Sequence, residues 1–175
     1  MKHLAMTLAG IFAVLVTSAT QATDSYSRNF AKCKNSDWAD QDYMRGHVAR
    51  VIDGDTIWID VPTDRGLKTY KIRFMGIDTP ETNYNGKSQG YWGEAAKERL
   101  AELLEIGDLV EIEFDQTPCD HYGRVLGHVW KGDFNINRQL VKEGLAVNYC
   151  IYPNTLHCRE YGYLVQQNVN NETGA

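Results

Sequence analysis

Two β-rich runs, His47–Ile52 and Thr56–Val61, are separated only by Asp53-Gly54-Asp55. An Asp-Gly step between two strand patterns predicts a tight hairpin, so the two runs pair with each other. Thr69–Met75 alternates polar and apolar residues and predicts a third strand. Thr79-Pro80 then breaks the chain, and residues 83–91 are polar and predict a loop. Gly93–Glu105 puts Ala96, Leu100, Leu103 and Leu104 on one face, which predicts a helix capped by Gly107. Leu109–Phe114 and Val125–Trp130 predict two more strands, and Ile136–Glu143 a short helix stopped by Gly144. Five strands with a helix between the third and fourth predict an α+β fold, an OB-fold-like β-barrel with two or three helices. Such barrels bind oligonucleotides, oligosaccharides or proteins, so the function has to come from a site.

The ends of the chain read differently from its middle. Met1-Lys2-His3 is basic, Leu4–Val16 is apolar, and Ser18–Ala22 is small and polar, the three-part pattern of a secretory signal peptide. Cleavage is expected after Ala22, with Ala19 as second choice, and the apolar run is short for a membrane span. The alternative is an uncleaved anchor. Residues 1–22 are therefore expected as signal peptide, 23–45 as an extended arm, 46–169 as the barrel domain and 170–175 as a tail. Within the domain, Arg159–Val169 predicts a short helix interrupted by Gly162. The expected location is secreted or periplasmic, with no membrane contact after cleavage. No long apolar stripe is left over, which implies a monomer.

Export changes how the four cysteines are read. An even number in an oxidising compartment implies disulfides. Cys150 and Cys158 flank a short loop with Pro153 and are the expected pair, which leaves Cys33 with Cys119. A zinc site is disfavoured because no C-x-x-C spacing exists. The net charge is −5, and loss of Lys2 makes the mature chain about one unit more acidic. Such acidity argues against tight binding to phosphates, which Lys and Arg normally provide, but not against turnover.

Three clusters carry chemistry. In Asp53-Gly54-Asp55-Thr56, Asp55 projects from the hairpin. In Arg73-x4-Asp78-Thr79-Pro80-Glu81-Thr82, Pro80 stiffens the corner that holds Asp78 and Glu81. The third is Asp120-His121-Tyr122-Gly123-Arg124. Each has a plain reading on its own: a turn, a capped loop, a surface arginine. Together they supply carboxylates for a hard cation such as Ca²⁺ or Mg²⁺ and two guanidinium groups whose fork matches phosphate oxygens. Phosphodiester hydrolysis needs an activated water and positive charge on the phosphate.

These motifs, in this order, resemble the staphylococcal nuclease (thermonuclease, micrococcal nuclease) family. The resemblance runs from about His47 to Asn154 and includes Gly144-Leu145-Ala146 and Tyr152-Pro153-Asn154. It implies one Ca²⁺ per chain, held by Asp55, Asp78 and the carbonyl of Thr79, with Asp53 behind them. It implies that Glu81 positions or deprotonates the attacking water and that Arg73 and Arg124 stabilise the pentacoordinate phosphate. Tyr122 is implied near the nucleotide phosphate. The family cleaves DNA and RNA at the 5′ P–O bond and leaves 3′-phosphate ends. A barrel groove suits single strands, with Tyr84, Tyr91, Trp92, Tyr149 and Tyr152 as candidate stacking groups, although Trp92 reads better as core or rim packing. Lys87 stands nearly alone in a loop where the family often has more lysine, which implies weak or salt-dependent affinity. The rival readings are a catalytically inactive binding module on the same barrel, an exported domain for saccharide or protein, and a nuclease that uses Mg²⁺ or Mn²⁺. The first rival is disfavoured because all five acidic and arginine positions are present.

Overall fold

A computed structural model describes Trp38, residues 41–82 and residues 90–173. The expected signal peptide and most of the expected arm, with Cys33, Tyr84 and Lys87, lie outside the described residues. The elements run β1 (Tyr43–Asp53), β2 (Thr56–Thr63), β3 (Gly66–Phe74), β4 (Gly76–Asp78), α1 (Tyr91–Leu103), β5 (Leu109–Glu113), β6 (Val125–Lys131), β7 (Phe134–Asn135), α2 (Ile136–Lys142), β8 (Val147–Tyr149) and α3 (Cys158–Thr173).

Five of the strands close a barrel. β1 pairs with β2 and with β5, β2 with β3, and β5 with β6, all antiparallel. A parallel β3–β6 pairing, with Arg73 opposite Leu126, closes the ring. The expected OB-type α+β barrel is thus the observed fold. Inside it pack Met44, Val48, Ile57, Ile59, Ile72, Phe74, Val110, Ile112, Val125 and Val129, all buried. Ala96, Leu100 and Leu104 of the α1 region and Ile136, Leu140 and Val141 of α2 cover the ends. Arg99 on α1 grips Glu143 with two hydrogen bonds of 2.8 Å and ties the two helices together.

Local geometry explains how the barrel builds a corner for polar groups. From Met44 to Val48, β1 buries its even-numbered residues. Register shifts between Val48 and Arg50 and between Val51 and Asp53 then invert the strand. Arg50 turns outward, and Asp53 is buried at the end. Bulges re-aim side chains in this way at barrel rims. Gly54, in the tight turn, is not among the described residues with positive φ. Its role is steric: an added Cβ would lie 2.7 Å from Ala96 Cβ and 2.7 Å from Thr79 Oγ1. Gly54 lets the hairpin turn sit directly under α1 and against Thr79.

The expected boundaries shift at both ends. β1 starts at Tyr43, where Tyr43 pairs with Glu113 and Met44 is buried, so the last residues of the expected arm belong to the barrel. The C-terminal helix is not short: α3 has 16 residues and continues through Gly162 to Thr173, into the expected tail. Glycine costs a helix interior about 1 kcal/mol relative to alanine. Here burial of Tyr161 and Leu164 on either side offsets that cost. A Cβ on Gly162 would come 3.1 Å from Asn148 Nδ2, so the glycine also lets α3 approach β8. Cys150 and Cys158 are joined by a disulfide with a Cα–Cα distance of 6.1 Å. Cys119 is also disulfide-bonded.

Candidate active site

The hairpin turn, the end of β3, β4 and the segment after it bring Asp53, Asp55, Arg73, Asp78, Thr79 and Glu81 into one hydrogen-bonded group. Asp55 is buried, with 2% of its surface exposed. Its Oδ2 accepts hydrogen bonds from the Thr79 N–H (3.0 Å) and the Thr79 hydroxyl (3.1 Å). Its Oδ1 accepts one from the Thr56 hydroxyl (3.1 Å). Arg73 Nη2 lies 3.0 Å from Asp55 Oδ2 and also donates to Asp78 Oδ1. Arg73 Nη1 donates to the carbonyls of Phe74 (2.7 Å) and Ile77 (2.9 Å). Four contacts therefore fix the guanidinium against the turn between β3 and β4.

Asp53 accepts from the Gly54 N–H (3.0 Å) and from the Thr82 N–H (3.2 Å). Its carboxylate is also hydrogen-bonded to Glu81. Burial, this hydrogen bond and the charges of Asp53 and Asp55 push Glu81 up to about 7, with Arg73 opposing. Burial also raises Asp55, and Arg73, the Thr79 N–H and the Thr56 hydroxyl only partly offset it.

The corner thus holds four carboxyl groups and one guanidinium. This excess of oxygen donors over positive charge fits a hard divalent cation. No three His, Cys, Asp or Glu side chains among the described residues form a closed cage. The groups on offer are Asp55, the half-exposed Asp78 and the Thr79 carbonyl, with water filling the remaining positions. That set fits calcium or magnesium, and it is too hard for copper or an iron–sulfur cluster.

Arg73 also faces a cavity of about 430 Å³, whose lining includes Arg124, Tyr122, Tyr149, Ile151 and Tyr152. The parallel β3–β6 pairing puts Arg124, the residue before β6, at the same end of the barrel as Arg73. Sequence reading gave Asp120 no role, but it builds the Arg124 loop. Its Oδ1 accepts from the N–H groups of Tyr122 and Arg124, both at 2.9 Å, and its Oδ2 accepts from Arg124 Nε at 2.6 Å. An Asp four residues before an Arg, with a glycine between, is the signal that could have revealed this loop. Arg124 also stacks over the Tyr122 ring at 5.4 Å. Tyr122 and Tyr152 are exposed at the cavity mouth. Lys87 and Tyr84 lie outside the described residues. Glu81 does not line this cavity and joins the site through Asp53.

Comparison with known proteins agrees with this geometry. The profile of the family described as "Staphylococcal nuclease homologue" matches residues 71–173. A thermonuclease of Staphylococcus hyicus is 37% identical over 137 residues, covering 78% of this chain and 75% of that protein. A thermonuclease of Staphylococcus intermedius is 39% identical over 120 residues, 69% of this chain and 66% of that one. Endonuclease YhcR of Bacillus subtilis (strain 168) is 40% identical over 114 residues, which are 62% of this chain and only 9% of that much longer protein. The fold, the ordered motifs and these matches together place the chain in the staphylococcal nuclease family.

Proposed function

We propose that the protein is an exported, calcium-dependent nuclease that hydrolyses phosphodiester bonds of DNA and RNA, preferring single strands. The observation that carries this reading is the carboxyl-rich corner around Arg73, which opens beside a cavity that Arg73 shares with Arg124. Asp55, Asp78 and the Thr79 carbonyl would hold one Ca²⁺ per chain. Bound there, the ion supplies positive charge to the phosphate under attack. Glu81 takes a proton from the attacking water, and the hydrogen bond and charge of its neighbour Asp53 strengthen its hold on that proton. Arg73 keeps Nη1 on two carbonyls, while its Nη2 edge is the one a phosphate competes for. Asp120 holds Arg124 by Nε and the backbone N–H, so the terminal nitrogens serve the second phosphate oxygen. Donors preset where charge develops are usually the largest catalytic contribution. The water oxygen bonds to phosphorus, its proton passes to Glu81, the P–O5′ bond breaks, and the 5′-oxygen takes a proton from solvent water to leave as a hydroxyl. The 3′-phosphate stays on the other fragment.

Residues 1–22 act in this reading as a removable signal peptide that delivers a monomer to the periplasm or beyond. The described residues contain no helix long and apolar enough to cross a membrane. The test is cleavage of denatured DNA and of RNA by the mature protein, with calcium and then with excess chelator. Calcium-dependent cleavage that leaves 3′-phosphate ends is the expected result. A folded, oxidised sample that cleaves neither substrate with any divalent ion would replace this reading with an inactive binding module. Cleavage with Mg²⁺ or Mn²⁺ but not Ca²⁺ would replace the metal alone.

A further inference from the structure

A second cavity, of about 420 Å³, lies on the other side of the carboxyl corner. Asp78, Thr79, Pro80, Trp92 and the segment Gly144–Val147 line it. Arg73 lines the first cavity, Asp78 lines the second, and the two side chains are ion-paired. The cavities therefore meet at the Arg73–Asp78 pair. We propose that the second cavity is a nucleoside subsite in which Trp92 stacks on the base next to the scissile phosphate, on the side away from Tyr122 and Tyr152. This inference rests on the nuclease reading.

The chemistry of the lining selects the occupant. Among the described residues no basic side chain borders the second cavity, and its one charged member is Asp78. Away from its Asp78–Thr79 end the lining is apolar, so a neutral planar base would find Trp92, Pro80 and the apolar stretch Leu145-Ala146-Val147. A phosphodiester joins two nucleosides, so a strand with its phosphate at Arg73 sends one nucleoside each way. Trp92 was expected to pack in the core or at its rim, yet 61% of its surface is exposed, beside the exposed Tyr91. The start of its helix is closely seated all the same. Gly93 lets the first turn of α1 approach the Pro80 and Glu81 carbonyls, each 3.0 Å from an added Cβ. Tyr91 braces the indole edge-on, with ring centroids 5.3 Å apart.

The test pairs Trp92→Ala with loss of a base. The substrates are short oligothymidylates with one hydrolysable phosphodiester, the other linkages being methylphosphonates. One version is intact, and two carry an abasic residue on one or the other side of the cleavable bond. Trp92→Ala is expected to lower kcat/KM on the intact strand roughly 5- to 150-fold, the range for one aromatic–base stack. One abasic strand should lose a similar factor with the wild type and then be indifferent to Trp92→Ala. The other should stay sensitive to it, and Trp92→Phe should recover most of the loss. A penalty equal on all three strands, or absent, overturns the subsite. If the wild type cleaves no nucleic acid, the nuclease reading fails separately. The subsite is then judged by the anisotropy of a labelled oligothymidylate: weaker binding by Trp92→Ala supports it, and equal binding overturns it.

Discussion

Two groups of polar side chains in this barrel are built on opposite principles. The corner formed by the β1–β2 turn, β3 and β4 sets four carboxyl groups against one guanidinium and leaves Asp78 half-exposed. The group formed by β5, β6 and α3 is closer to balance. His128 is fully buried, with its Nδ1 3.0 Å from the Tyr161 hydroxyl. His157 Nε2 lies 3.0 Å from Glu113, whose Oε2 also accepts from the Trp130 indole at 2.8 Å. Asn135 and the His128, His157 and Tyr161 rings complete the packing. A buried polar set paired mostly within itself rigidifies a core, even with His128 Nε2 left over among the described residues. An unbalanced set open to a cavity requires a ligand. By this contrast, substitutions in the first group should change activity and spare the fold, and substitutions in the second should do the reverse.

The strongest way to break the comparison is to remove charge from the first group or from Arg124, across the cavity that Arg73 lines. Arg124→Ala or Glu81→Gln is expected to lower turnover about 10²- to 10⁴-fold, the range for losing an oxyanion donor or a general base. Thermal stability should stay close to that of the wild type, because neither side chain is in the apolar core. Melting curves alongside initial rates on denatured DNA check both halves. Near-wild-type rates in a folded variant would remove these residues from the proposed mechanism.

Much of the first group was legible in the sequence, and the second was not. Asp53, Asp55, Arg73, Asp78 and Glu81 lie on a hairpin turn and at one strand end, so short-range patterns place them. The strand periods also placed the five barrel strands. β4 and β8, at three residues each, are too short to carry a period, yet their pairing puts Asp78 opposite Val147. Gly162 hid the length of α3, because a helix-weakening residue is tolerated only for packing that the sequence does not display. Asp120 carried no assigned role because its partners, two backbone N–H groups and the Arg124 side chain, come from its own turn. Glu113, His128, His157 and Tyr161 come from separate elements, and nothing local in any of them announces the others. Trp92 was read by its type, as packing, where the fold instead leaves it at a cavity.

The second group offers a test through pH. Burial, followed by the charge of His157, lowers His128 from its usual value to about 4, although Glu113 and Asp115 oppose this. The Tyr161 phenol faces the same ring and is pushed up by burial, so it stays protonated throughout. A histidine depressed in the folded state contributes its stability above its unfolded value of about 6.5. That contribution is lost as pH falls from about 6.5 to about 4. At about 1.4 kcal/mol per unit, the loss is at most roughly 3.5 kcal/mol. His128→Phe should remove this slope, leaving only the carboxylate contributions. Urea melts of both proteins at pH 7 and pH 4.5 measure the difference. Equal losses in the two would show that His128 is not held neutral by the fold.

The smallest expected effect sharpens the comparison most, because it changes a single atom. Tyr161→Phe keeps the ring that fills the space beneath Gly76, where an added Cβ would lie 3.0 Å from Tyr161 Cε2. It removes only the hydroxyl. His128 Nε2 already has no partner among the described residues, so the lost hydroxyl leaves both ring nitrogens of a buried imidazole without a hydrogen bond. A hydrogen bond of this kind contributes about 0.5–1.5 kcal/mol net, and a partner left unsatisfied in the core raises the cost to about 1–3 kcal/mol. The expected loss is therefore about 1–2 kcal/mol, read as a lower urea midpoint with an unchanged m-value. Turnover should not change. Gly76 opens β4, and Asp78 closes it, so Tyr161 also supports the strand that presents Asp78. If Tyr161→Phe lowered turnover as much as stability, the two groups would be one cooperative unit joined through β4, and the division between a structural and a chemical cluster would fail.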